Sequence, residues 1–172
     1  MLLESPVARC GDQQPPIRRT GWSAAMRPRN AQDAAARLIV CEQTGKWAVA
    51  LRRSSLIGSI RVYETRSTEE CQQELQASPA SLVAVEATDA NLNRLAAWLC
   101  EIATQFPRCR VVVLASRGLE SSQWLWREAG AVHVEYSPRQ MSGVARIALR
   151  QLKDVANDGH SIRQRVWDRM PW

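Results

Sequence analysis

From Arg37 onward the chain repeats one pattern five times: a short apolar run, then a longer stretch with apolar residues at three- and four-residue steps. Runs that stay apolar on both faces read as strands covered on both sides, and the helical stretches between them are the crossovers that parallel pairing requires. The runs are 38–41, 60–63, 82–85, 111–114 and 132–136. Helical spacing covers 44–53, 68–76, 91–106, 119–129 and 139–152, with Gly130 placed to end the fourth helix. In the third, Leu92, Leu95, Ala96, Leu99, Ile102, Ala103 and Phe106 make one stripe that must face the sheet. Arg61 interrupts the second run and sends it to a sheet edge, whereas the unbroken 111–114 belongs inside. An α/β fold follows, with five βα units forming a parallel sheet with crossover helices.

What flanks this block is different. Residues 1–36 hold Pro6, Pro15, Pro16 and Pro28 and no sustained period, which predicts a disordered arm, with Met26 an alternative start. The domain is expected over 37–152. Residues 153–172 form a tail in which Ser161 could cap a short helix presenting Ile162, Val166 and Met170. No apolar stretch is long enough to span a membrane, and Glu4 and Pro6 interrupt the start where a secretory signal needs an apolar run. A cytoplasmic chain without membrane partners is expected.

Charge and motifs exclude more than they assign. The chain carries 23 basic and 17 acidic residues, a net charge of +6. The excess is thinly spread, with 5 basic and 3 acidic residues over 1–36, 14 and 11 over 37–152, and 4 and 3 over 153–172. Nucleic-acid binders concentrate Lys and Arg on one face or arm, so this scatter argues against that partner. The five cysteines form no C-x-x-C pair and are odd in number, which reads as reduced thiols. His133 and His160 have no cysteine at ligand spacing, so no metal is expected, and His133 within its strand reads as a packed histidine. No G-x-S-x-G, H-E-x-x-H or G-x-G-x-x-G occurs. Thr44-Gly45-Lys46 looks like the end of a phosphate-binding loop, but Val40 stands where that motif needs Gly and Trp47 where it needs Ser or Thr. Lys46 and Lys153 are the only lysines, hence the only candidates for lysine chemistry.

Acidic residues close the first and third runs, as Glu42-Gln43 and Glu86, and the fourth and fifth end at Ala115 and Ser137-Pro138. Intervals of 43 from Gln43 to Glu86, 29 to Ala115 and 22 to Ser137, together with Gly130-Ala131 before the fifth run, make residues 37–152 resemble the receiver domain of response regulators. That resemblance implies a doubly wound, CheY-like, flavodoxin-like fold with a five-stranded parallel sheet in strand order 2-1-3-4-5 and helices on both faces. It also implies a pocket in which an acidic pair holds Mg²⁺, a β3 Asp accepts phosphate, and a Thr or Ser and a Lys neutralise it.

The chemistry-bearing positions all depart from that pattern. Gln43 is neutral, Glu86 is longer than Asp by one methylene, Ala115 donates no hydrogen bond and Ser137 carries no charge. The six residues Glu42, Gln43, Glu86, Ala115, Ser137 and Pro138 are therefore expected to form a degenerate phosphorylation pocket without catalytic or cofactor function. Glu86 either mimics a phosphorylated Asp or is a solvated strand-end acid, and the missing Thr and Lys favour the second. Asp89 lies too far into the loop to replace it. The family's switch aromatic falls on Val134, with Tyr136 two residues on. Trp124 and Trp126 are about 200° apart on a helix, so one inward stripe cannot bury both. Trp124, Trp126, Val134 and Tyr136 are the expected interaction surface for a protein partner, in signalling or elsewhere. The expected function is a phosphorylation-independent interaction module. A small-molecule or nucleotide-binding protein using the crevice at the strand ends is the alternative, with a DNA-associated regulator behind it.

Overall fold

The computed structural model describes residues 35–58 and 60–158; the expected arm up to residue 34, the Met26 start and the Ser161 helix lie outside them. Five parallel strands are β1 (Leu38–Cys41), β2 (Val62–Thr65), β3 (Leu82–Ala87), β4 (Arg110–Ala115) and β5 (Ala131–Glu135), in the order β2-β1-β3-β4-β5. This is the expected doubly wound topology. The helices are α1 (Lys46–Arg52), α2 (Thr68–Ala77), α3 (Leu92–Gln105), α4 (Gln123–Glu128) and α5 (Ser142–Asp158).

The period of two along each strand sorts the core into two layers. Ile39, Val83, Val85, Val111 and Val113 face α2, α3 and α4, against Leu75, Leu95, Leu99, Ile102 and Trp126. Leu38, Val40, Ala84, Val112 and Leu114 face α1 and α5, against Trp47, Leu51, Val144 and Ala148. Between Val111 and Val112 the β4–β5 register slips by one residue, pairing Val111 with Ala131 and Val112 with His133. The skipped Val132 is left exposed on the outer edge.

Local chemistry explains where element ends differ from expectation. β2 starts at Val62 rather than at Ile60, because the Ile60 N–H is already spent on Ile57 O at 2.7 Å, in the turn after a short 3₁₀ segment, Ser55–Ile57. The fourth helix begins with a 3₁₀ turn over Arg117–Ser122 and becomes α-helical only at Gln123. Gly130 closes it with φ 101° and donates to Arg127 O at 3.0 Å, half of a Schellman motif. α5 runs through Asp158, six residues beyond the expected end at Leu152.

Candidate functional site at the strand ends

The loops at the carboxyl ends of the strands are tied down by side chains. Ser67 caps α2 by accepting from Glu70 N at 3.1 Å, and Glu70 returns to accept from Arg66 N at 2.7 Å. The Arg66 guanidinium donates to Glu42 O at 3.1 Å and Gln43 O at 3.2 Å, joining the loop after β1 to that after β2. Asn91 staples the loop after β3: its Oδ1 accepts from Thr88 N at 2.8 Å and its Nδ2 donates to Glu86 O at 3.0 Å.

The two carboxylates that the spacing singles out sit side by side at β1 and β3, yet both are spoken for. Glu42, 2 % exposed, accepts from Trp47 N at 2.9 Å and Ala48 N at 2.6 Å, so both its oxygens cap the start of α1. Glu86, 8 % exposed, accepts from Gln43 N through Oε2 at 3.3 Å, and its Oε1 takes the Trp47 indole N–H at 3.3 Å and the Lys46 ammonium at 2.8 Å. The expectation of a solvated strand-end acid is thus overturned. A buried carboxylate needs such partners, because desolvation without them would be prohibitive. Gly45, with φ 81°, makes the tight turn that brings Lys46 and Trp47 back over the sheet end.

Separate cavities open around the strand ends. Glu42, Gln43 and Glu86 line a cavity of about 260 Å³ toward α2 and α3. Ser137 and Pro138 line another, of about 410 Å³, shared with Lys46, Trp47 and Tyr136. Ala115 is fully buried at the end of β4. The six residues expected to form one pocket, Glu42, Gln43, Glu86, Ala115, Ser137 and Pro138, thus do not line one common cavity, and Trp47, packed in the α1–α5 core layer, turns its indole N–H onto Glu86. Ser137 serves as a cap, accepting from Arg139 N at 3.3 Å, while its own N–H and that of Tyr136 each reach Glu135 Oε1 at 3.0 Å.

The acidic pair that would hold Mg²⁺ in a receiver does not fit that ion here. Both Glu42 oxygens face backbone N–H groups, Gln43 offers a neutral amide, and Glu86 already neutralises Lys46. Among the described residues no group of three or more His, Cys, Asp or Glu side chains could hold a metal ion. The Cys41 thiol, which borders the smaller cavity, donates to Ser67 O at 3.4 Å; the hydrogen bond with the buried Cys71 lowers the Cys41 pKa, and that contact, then burial, raises Cys71.

On the opposite flank, Trp124 is 67 % exposed and Trp126 is fully buried, the division that a 200° separation requires. Trp126 and Val134, expected at the surface, are instead core residues between the sheet and α4. Tyr136 is partly buried against the same layer, and desolvation raises its phenol pKa. His133 is half-buried, with Nε2 3.7 Å from Glu135 Oε2, and packs where α5 has Gly143. Spacing passed over Lys46 and Trp47; the available signal was the scarcity of lysine and the phosphate-loop-like turn that delivers it.

No protein-family model matches the chain, and no curated protein does. Solved structures do match in shape. A response regulator from Thermotoga maritima superposes with a TM-score of 0.59 at 16 % identity, over 69 % of this chain and 98 % of that one. A CheY-like protein, TadZ, from Pseudomonas aeruginosa gives 0.57 at 18 %, over 67 % and 98 %. A protein described as CpaE2, of pilus assembly, from Sinorhizobium meliloti gives 0.50 at 17 %, over 68 % and 99 %. Strand order, two-sided helix packing and these superpositions together show that the chain has the CheY-like receiver fold.

Proposed function

We propose that this chain is a receiver-fold protein-interaction module whose state does not depend on phosphorylation. One observation carries the reading: the carboxylate at the phospho-acceptor position, Glu86, is buried under Lys46, Trp47 and the Gln43 N–H. A nucleophile must reach its electrophile with its lone pair free and in line, and this one is covered on both oxygens. Lys46 supplies from α1 the positive charge that position 137 lacks, so the crevice holds one fixed charge arrangement. No other carboxylate stands in its place, since Glu42 is consumed as a helix cap and Asp89 lies on the exposed loop beyond. A module that is not switched by phosphate acts through the surfaces it presents.

Incubating the full chain with Mg²⁺ and acetyl phosphate, followed by intact-mass and peptide mass spectrometry, tests this. Unchanged mass is expected, for the native chain and for Glu86→Asp alike, since one shortened side chain frees neither Glu42 nor the Lys46 ammonium. A phospho-adduct on Glu86 or Asp89 of the native chain would overturn the reading. The CpaE2 pilus assembly protein that shares the fold makes pilus-assembly components the first partners to try in pull-downs.

A further inference from the structure

Cations and carboxylates are unevenly distributed over the strand-end face. The smaller cavity mixes Arg66 and Arg94 with Glu42, Glu69 and Glu86. Two adjoining cavities of about 620 and 410 Å³, both lined by Lys46, Pro138 and Arg139, make an open trough beside α1. Among the described residues no carboxylate lines either. Arg53, at the C-terminal end of α1, lines the larger of the two, Arg117, after β4, lines the smaller, and Arg139, after β5, lines both. Four arginines elsewhere are matched to carboxylates: Arg37 with Glu74, Arg52 and Arg66 with Glu64, Arg150 with Asp154. The three trough arginines form no ion pair among the described residues.

The floor is apolar. Val49 and Leu56, 45 % and 43 % exposed, both open into the larger cavity. A solvent-facing apolar patch bordered by cations, with no carboxylate among its lining, suits a ligand with apolar side chains and several negative charges. Inorganic phosphate would use the cations and leave the floor bare. Duplex DNA would need cations along a convex stripe, not an apolar hollow.

We propose that this trough binds an acidic, amphipathic segment of a partner protein, its carboxylates on Arg53, Arg117 and Arg139 and its apolar side chains on Val49 and Leu56. The proposal rests on the interaction-module reading and names the surface that reading leaves open. Its test is a random dodecapeptide library selected against the full chain, with affinities then measured by fluorescence anisotropy. Enriched peptides are expected to place Asp or Glu around apolar residues, and to lose about tenfold or more in affinity for an Arg53→Glu/Arg139→Glu chain. A Val49→Ser/Leu56→Ser chain, also of surface positions, is expected to weaken them as well; circular dichroism checks that both variants fold. Enriched peptides without acidic residues, no enrichment, or unchanged binding to the charge-reversed chain would overturn the proposal. So would equal displacement of the peptide by tripolyphosphate or by duplex DNA, which would make the trough a general anion site. Peptides lost on Trp124→Ala but not on charge reversal would overturn the trough while leaving the interaction module standing.

Discussion

Lys46 shows how one side chain decides what a strand-end acid can do. Its ammonium at 2.8 Å from Glu86 removes a charge that burial would otherwise penalise. Lys46→Ala is expected to cost about 1–2 kcal/mol in urea denaturation, held to that range because Gln43 N and the Trp47 indole still donate to Glu86. Thiols give a second test. Burial pushes the Cys109 thiol up to about 12, whereas Cys100 is exposed. Iodoacetamide at mildly alkaline pH should therefore label Cys100 well before Cys109, as read by peptide mass spectrometry. The same shift has a thermodynamic sign: the unfolded chain releases this proton near the ordinary thiol value of 9.0, so stability should fall as pH climbs from there toward about 12. At this scale the amino-acid order was only half legible. The positions of Glu42 and Glu86 followed from spacing, but their hydrogen-bond partners come from a loop whose path depends on Gly45.

Helix α4 carries the clearest lesson about elements. Trp124 and Trp126 differ in nothing but phase, and the 3.6-residue turn puts one in water and the other in the core. Trp126→Ala is expected to cost about 3–5 kcal/mol, and Trp124→Ala to stay within about 0.5 kcal/mol, by chemical denaturation of each. Periodicity thus located both residues. It did not reveal that Val134 would be covered, because burial of an edge-strand residue depends on where the neighbouring helix lies. Strand identity was legible in all five cases, while the start of β2 was not, since a turn hydrogen bond at Ile60 outcompetes the ladder.

Across the molecule, two core layers share one sheet. Leu51 belongs to the α1–α5 layer and Leu99 to the α2–α4 layer. Leu51→Ala and Leu99→Ala should each lower stability by about 2–5 kcal/mol, add when combined, and leave a single unfolding transition by both fluorescence and circular dichroism. Two separated transitions would mean that the layers melt independently. The alternation of runs and periodic stretches made the topology readable, since parallel strands joined by helical crossovers have few ways to close a core on both faces. The cover over Glu86 was not readable, because Trp47 looks like any other core aromatic until its indole N–H is seen reaching from the layer to the strand end. That double duty has a price in adaptability. A laboratory selection for phosphate acceptance would have to hollow out the same indole that supports the α1–α5 layer, so every early step toward an open crevice would first pass through a less stable protein.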